Sequence, residues 1–236
     1  FWSATGGDEV FAATGGAAQG WGCAAIDSIR ELNSSLFFLG TSTLGNRQVC
    51  MLNGYQVQPI STPDVEKLIS DDPTPDAAVA LAFITAGHAF YVLNLTNTSL
   101  AYNLNTGEWS EWQTEGGRWA GQWGFNYNGG FYVTDYRNSN IYRLDDDVQT
   151  DDGQPIVREI TSKHIFNNTD RLCVDQVAMD AEMGVGITSG QGSDPKVMMQ
   201  ISTDGGHTFG DEMWRTLGAL GQYKARAVWN RLGRAR

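Results

Sequence analysis

The residues with the most recognisable spacing in this sequence are Ser202, Asp204, Gly206, Thr208 and Phe209. They fit the pattern Ser-x-Asp-x-Gly-x-Thr followed by an aromatic residue, which is called an Asp box. Its carboxylate accepts hydrogen bonds from turn amides, its glycine permits positive φ, and its aromatic ring covers the apolar side of a hairpin. The spacing therefore predicts a structural β-turn rather than a reactive centre.

Glycan hydrolysis would need a pair of carboxylates flanking the scissile bond. Asp boxes recur in sialidases and other propellers, usually far from the reacting groups. The acidic residues here fall mostly in turns that contain Gly or Asn, and the arginines Arg118, Arg137, Arg143 and Arg158 are scattered. We expect no enzyme, and a glycan-binding or sialidase-like Asp-box propeller is the alternative function.

Metal or cofactor binding has little support in the sequence. The histidines His88, His164 and His207 lie in separate segments without a ligand spacing. An acidic run supplies five carboxylates, but it lacks the spacing and terminal Glu of a calcium loop, so we interpret it as a solvated turn. We predict no metal and no cofactor. The members of the acidic run are Asp145, Asp146, Asp147, Asp151 and Asp152.

The cysteines Cys23, Cys50 and Cys173 are odd in number, far apart and without a Cys-x-x-Cys spacing. That pattern predicts buried free thiols in a reducing compartment rather than a disulfide framework.

No apolar run reaches the length of a transmembrane helix, so we predict no membrane span. Because the sequence begins at Phe1 and ends directly after a strand-like run, we expect it to be a fragment of a longer protein.

Charge is distributed unevenly along the sequence. The formal net charge of −11 disfavours a general nucleic-acid binder. The last 24 residues carry six basic residues and no acidic one. A strand over residues 223–230 would place Lys224 and Arg226 on the face opposite Trp229. We predict a subunit interface at Lys224, Arg226, Trp229 and Arg231, with a simple exposed basic face or a phosphate contact as alternatives.

Three segments, residues 28–61, 77–114 and 118–145, repeat one layout of an apolar strand, a polar turn and an alternating strand. Phe37, Phe90 and Phe131 recur within them at intervals of 53 and 41 residues. Stacked blades cover one another's faces and leave only short edges. The repeats predict an all-β, β-propeller-like fold with blades of antiparallel strands, incomplete in a fragment. A β-sandwich of similar hairpins is the alternative.

One segment, residues 62–69, interrupts the strands and predicts a short helical insertion. Thr62 suits the N-cap, Pro63 the first helical position, and Asp64 and Glu66 the positive end of the helix dipole. The Asp box at residues 202–209 also supports a propeller, because such boxes recur in propellers. We therefore assign residues 1–236 to a single β-propeller-like domain.

Eight short runs, taken in order, resemble the tail-hub family of short-tailed phages, whose members are called packaged-DNA stabilisation proteins and are related to tail nozzles. The resemblance covers about residues 30 to 236, and Phe209 stands where Trp is common in the family's box. The matching runs are residues 61–66, 87–93, 102–109, 152–156, 190–195, 202–209, 221–223 and 229–233.

The resemblance implies a structural protein of the virion tail, assembled in the host cytoplasm. It implies a homo-oligomeric ring, commonly a hexamer, that continues the DNA channel below the portal and adaptor proteins, retains packaged DNA and anchors a needle, spikes or fibres. We hypothesise that the acidic run from Asp145 to Asp152 lines the lumen, where carboxylates would repel the passing duplex. A bacterial kelch-like adaptor shares this composition and is a further alternative.

Overall fold

The computed structural model describes residues 1–8, 10–15, 20–165, 172–190 and 192–235. The chain divides into two compact units, residues 1–157 and residues 158–236. Strands are the main regular secondary structure of both units, and the sheets are antiparallel. The all-β class expected from the Gly-rich turns and short aromatic runs is confirmed.

The N-terminal unit begins with a hairpin of β1 (Trp2–Ala4) and β2 (Phe11–Ala13), followed by a sheet that we name the first blade. In this blade β3 and β4 both pair with β5, so together they fill the first strand position, and β6 and β7 complete the meander. The strands are β3 (Trp21–Cys23), β4 (Arg30–Leu32), β5 (Ser35–Ser42), β6 (Arg47–Asn53) and β7 (Gln56–Pro59).

The predicted helical insertion is confirmed as α1 (Pro63–Asp71). The Thr62 hydroxyl accepts a hydrogen bond from the Val65 amide at 3.4 Å, which satisfies one of the free donors of the first turn. The apolar side of α1 buries Val65 and Ile69 against the first blade's inner face. The helix therefore acts as a packed insertion between two sheets.

The second blade is a meander of four long strands with a two-residue fifth strand at its edge. The third blade is a three-stranded meander, and a small hairpin follows it. The second blade contains β8 (Val79–Thr85), β9 (His88–Asn94), β10 (Ser99–Asn103), β11 (Glu108–Thr114) and β12 (Gly117–Arg118). The third contains β13 (Gly121–Tyr127), β14 (Gly130–Asp135) and β15 (Ile141–Arg143), and the hairpin contains β16 (Thr150–Asp151) and β17 (Gln154–Pro155).

The repeated phenylalanines occupy equivalent places in the three blades. Phe37 lies in β5, Phe90 in β9 and Phe131 in β14, and each of these is the second strand position of its blade. The three segments found in the sequence therefore correspond to three sheets. In each segment, the apolar strand and the alternating strand are the second and third strands of the blade. The first strands of the second and third blades were missed.

Alternate residues of the second blade pack into two different apolar cores. Tyr91 and Leu93 share a buried cluster with Phe37 of the first blade, whereas Val92 shares a second cluster with Val133 of the third blade. Because successive side chains of a strand point to opposite faces, the second blade is covered on both sides. Face-to-face stacking of successive meanders is the packing expected of propeller blades.

Free thiols are present as predicted, but their burial differs from the prediction. Cys50 in β6 is buried, whereas Cys23 and Cys173 are exposed, so the expectation of three buried thiols is wrong for two of them. Cys23 lies in β3 at the start of the first blade, and Cys173 lies in a strand of only two residues.

Within the described ranges, the C-terminal unit contains three two-stranded antiparallel pairs, β18 with β23, β19 with β22 and β20 with β21. The expected strand over residues 223–230 begins only at Ala227, because residues 223 and 224 form a turn. The strands are β18 (Leu172–Cys173), β19 (Gln176–Met179), β20 (Lys196–Met199), β21 (Met213–Thr216), β22 (Ala227–Asn230) and β23 (Arg234–Ala235).

The division into two units was not anticipated by the single-domain assignment of residues 1–236. That assignment used the Asp box as a marker of the propeller, and the box lies in the C-terminal unit, in the connection between β20 and β21. The irregular strands that follow residue 157 also carry no repeat of the blade layout. The sequence pattern of the first 145 residues therefore could not be extended to the rest.

Candidate interaction surfaces

The Asp box forms a closed hydrogen-bond network at the end of the hairpin of β20 and β21. The Asp204 carboxylate accepts hydrogen bonds from the Thr208 amide at 2.9 Å, the Thr208 hydroxyl at 2.6 Å and the Ser202 hydroxyl at 2.7 Å. The Ser202 hydroxyl oxygen accepts a hydrogen bond from the Gly206 amide at 2.8 Å. Every polar member of the box is thus bonded within the turn.

The environment of Asp204 favours its charged form. Hydrogen bonds, mainly from Thr208 and to a smaller extent from Ser202, lower the pKa of the Asp204 carboxyl to about 2. Gly206 has φ of 92°, which an L-residue rarely adopts, so glycine is required there. Phe209 is 48% exposed rather than inserted under the hairpin. The box therefore stabilises a turn and offers no carboxylate oxygen that is free of the turn's own donors.

The acidic run divides between two places on the N-terminal unit. Asp146 accepts hydrogen bonds from the Thr85 hydroxyl at 2.8 and 3.0 Å, at the end of β8. Asp151 accepts a hydrogen bond from the hydroxyl of Thr114, at the end of β11. Asp147 is exposed and has no hydrogen bond or ion pair to its carboxylate within the described ranges. The run is therefore a loop that two hydrogen bonds hold to the ends of strands in the second blade.

Two arginines offset part of the negative charge of this loop. Arg143 Nη1 lies 3.9 Å from Asp145 Oδ2, and Arg137 Nη2 lies 3.6 Å from Asp152 Oδ2. Arg137 Nη2 also contacts Asp135 Oδ2 at 2.8 Å, and its Nη1 lies 3.3 Å from Glu115 Oε2. Hydrogen bonds from Arg137 lower the pKa of the Asp135 carboxyl below its ordinary value. This network joins the third blade, the β11–β12 turn and the β16–β17 hairpin.

The predicted basic interface has one buried and three exposed members. Lys224, Arg226 and Arg231 are exposed, and no hydrogen bond or ion pair joins their charged groups to other described side chains. Trp229 is only 2% exposed, and its Nε1 donates a hydrogen bond to the Met213 carbonyl at 2.8 Å. The tryptophan therefore lies in the interior of its unit. Whether the three cations contact a neighbouring subunit stays a prediction.

Sequence reasoning missed an aromatic surface on the outer face of the third blade. Trp123, Phe125 and Tyr127 alternate along β13 and are 44%, 42% and 67% exposed. Phe125 lies opposite Tyr132 of β14, and their rings stack with centroids 5.8 Å apart. Alternation of aromatic residues over positions 123–127 is the signal that could have revealed this face.

Comparison with protein families gives two matches that follow the division of the chain. A family model described as the β-propeller of bacteriophage P22 Gp10 matches residues 1–149. A second model, described as the β-sandwich of the same protein, matches residues 157–236. The chain belongs to the phage tail-hub family of P22 Gp10. A search of curated proteins gives no match.

Family membership identifies the chain as a structural protein of the phage virion, as the ordered motifs predicted. The N-terminal unit matches the propeller model, in agreement with the blades described above. The C-terminal unit matches the sandwich model, so the Asp box of this chain lies in a β-sandwich rather than in a blade. None of the helices within the described ranges is long and apolar enough to span a membrane.

Proposed function

We propose that this chain is a subunit of the tail hub, or nozzle, of a short-tailed phage. In this proposal several copies, most simply six, form a ring below the portal and adaptor proteins. The observation that carries it is the match of both units, in order, to the propeller and sandwich models of one phage protein. A match to a propeller model alone would be weaker support, because propellers host many unrelated functions.

The ring would continue the DNA channel, and the charge of the chain suits that role. Six copies of a chain with net charge −11 carry −66 formal charges. The N-terminal unit holds 18 acidic and six basic residues, so its net charge is −12. A negative lumen repels phosphates and lets a duplex slide without adhering to the wall.

The acidic loop supplies a specific candidate for the lumen wall. Asp146 and Asp151 are fastened by threonine hydroxyls, and Asp145 and Asp152 lie beside arginines. These contacts hold the loop in place, and its five carboxylates outnumber the two arginines beside them. Asp147 is exposed, and its carboxylate has no partner within the described ranges, so it is the member of the loop most available to a passing phosphate.

The partners in this proposal are other copies of the chain, portal-adaptor proteins and a needle, spike or fibre. The exposed cations Lys224, Arg226 and Arg231 would contact acidic surfaces of a neighbour, which favours correct encounter more than it adds affinity. The buried Trp229 would support them from within the unit. The assembly acts as passive architecture that retains packaged DNA until ejection, and it forms in the host cytoplasm.

Removal of the protein from the phage that encodes it tests the proposal. Particles lacking the protein should package DNA, lose it after packaging and be non-infectious. Supplying the full-length protein in the host should restore retained DNA and infectivity. Particles that retain DNA and infect normally without the protein would overturn the proposal.

The glycan alternative makes a different prediction that the same protein can test. Because both oxygens of Asp204 are bonded inside the turn, we expect no sugar to reach this carboxylate. The full chain, applied to a glycan array and to sialoside substrates, should show neither binding nor cleavage. Saturable binding of one glycan class would favour the alternative over the tail hub.

A further inference from the structure

The C-terminal unit has an unusually small apolar core. The two clusters of buried hydrophobic residues that the described part of the chain forms both lie in the N-terminal unit. In the C-terminal unit, among the residues for which the structure gives burial, only Ala227 and Trp229 are buried apolar side chains. A unit of about 80 residues with an ordinary core gains only about 3 to 5 kcal/mol from it. Two buried side chains leave this unit dependent on contacts outside itself.

Apolar side chains of the same unit are instead exposed on its strands. Met198 of β20 is 37% exposed and Trp214 of β21 is 52% exposed. The two residues lie directly opposite each other in the register of the pair. Cross-strand neighbours of this kind form one continuous surface. We name this surface the Met198–Trp214 patch.

The register shows that this patch faces away from the unit's interior. The neighbouring pair, Val197 and Arg215, points to the opposite face of the same two strands. Arg215 donates a hydrogen bond to the Val228 carbonyl at 2.8 Å and lies over the Trp229 ring at 5.9 Å. That face is therefore the inner one, and the patch is available to a second molecule.

The charge of each unit indicates which molecule can cover the patch. The C-terminal unit holds ten basic and nine acidic residues, a net charge of +1, against −12 for the N-terminal unit. Two copies brought together through their N-terminal units would repel each other, whereas the C-terminal units meet with almost no net repulsion. DNA is a poorer candidate, because a nearly neutral surface with an apolar centre lacks the cation density that phosphate binding needs.

We propose that a second copy of this chain covers the Met198–Trp214 patch, so that copies associate through residues 158–236. The inference rests on the proposed function, since a ring requires a contact between copies. It adds the location of that contact and the chemistry that forms it. Aromatic and methionine side chains at the centre of an interface contribute most of its affinity.

Assembly of the full chain as a function of concentration tests the location. The double variant Met198→Glu, Trp214→Lys should raise the dissociation constant of the assembled form by about tenfold or more in sedimentation equilibrium. The matched control is Leu44→Lys, which places the same charge on an exposed apolar residue of the N-terminal unit and should leave assembly unchanged. Circular dichroism of each variant verifies that the strands form.

Two opposite results separate this inference from the proposed function. If the double variant assembles like the unchanged chain, the contact lies elsewhere, and the inference fails while the ring remains. If the unchanged chain is a monomer at all concentrations up to about 100 μM, both fail.

A second measurement does not depend on a disruptive substitution. A photoreactive phenylalanine derivative replaces Trp214 in a mixture of light and heavy isotope-labelled chains. Cross-links between a light and a heavy chain within residues 158–236 support the inference. Cross-links confined to single chains overturn it.

Discussion

Substitution of Tyr91 by Phe tests whether the first two blades stack as described. The Tyr91 hydroxyl is fully buried and donates a hydrogen bond to the Ser28 carbonyl at 2.9 Å. Ser28 is itself buried and accepts a hydrogen bond from the Leu39 amide through its hydroxyl at 2.8 Å. One residue thus joins β9 of the second blade to β5 of the first.

The expected loss of stability follows from what the substitution removes. The ring of Tyr91→Phe still stacks on Phe37, with centroids 5.4 Å apart, so no cavity forms. The Ser28 carbonyl loses the hydroxyl as its donor in an apolar interior, where an unsatisfied group costs about 1 to 3 kcal/mol. We therefore expect the free energy of unfolding to fall by about 1 to 3 kcal/mol.

Urea unfolding followed by tryptophan fluorescence measures this change. Hydrogen exchange of residues 89–94 reports the N-terminal unit separately, which matters in a chain of two units. The matched control is Tyr102→Phe, because Tyr102 packs against the same Phe37 but its hydroxyl has no hydrogen bond within the described ranges. Its effect should stay within about 0.5 kcal/mol. Equal stability of the two variants would refute the stacking of the blades through Ser28.

Three further predictions concern charge and protonation. Arg137→Met removes charge-assisted hydrogen bonds from the buried Asp135, so the free energy of unfolding of the N-terminal unit in urea should fall by about 2 to 3 kcal/mol. An unchanged free energy of unfolding would show that the network does not stabilise the unit. Burial raises the pKa of the Cys50 thiol from 9.0 to about 12, so its contribution to stability is complete below pH 9.0 and is lost as the pH rises towards 12. Above pH 9.0 the urea midpoint should decline less steeply in Cys50→Ala than in the unchanged chain. Identical slopes would contradict the burial of the thiol. NMR titration of the Asp204 carboxyl should give a midpoint of about 2. The stability that this carboxylate contributes is therefore present above its ordinary pKa of 3.8 and is lost as the pH falls through 2. A midpoint near 3.8 would contradict the closed Asp-box network.

The blades could be predicted from sequence where local pattern and burial agree. The run containing Tyr91 and Leu93 is continuously apolar, because the second blade is covered on both faces, and it was recognised as a strand. β8 and β13 were missed although both contain strong strand formers, because two alanines in β8 and two glycines in β13 interrupt their apolar and aromatic runs. Their strand state comes from pairing with β9 and β14, which is tertiary information.

The candidate surfaces were predictable only in part, because sequence proximity does not fix side-chain direction. Asp146 and Asp151 are five residues apart in the chain, yet they bind hydroxyls at the ends of different strands, β8 and β11. Strand alternation put Trp229 on the face opposite Lys224 and Arg226, and its burial means that it is not an exposed member of the predicted basic interface. The turn at residues 223 and 224 shifted the start of β22 and with it the expected face of Lys224.

The proposed function requires that this chain forms a ring through which the phage genome passes. Cryo-electron microscopy of tails that contain the full-length protein tests it most directly. The account predicts a closed ring of copies, most simply six, with the duplex inside and carboxylates such as that of Asp147 on the lumen wall. A copy bound outside the channel, or a lumen lined mainly by lysine and arginine, would contradict it.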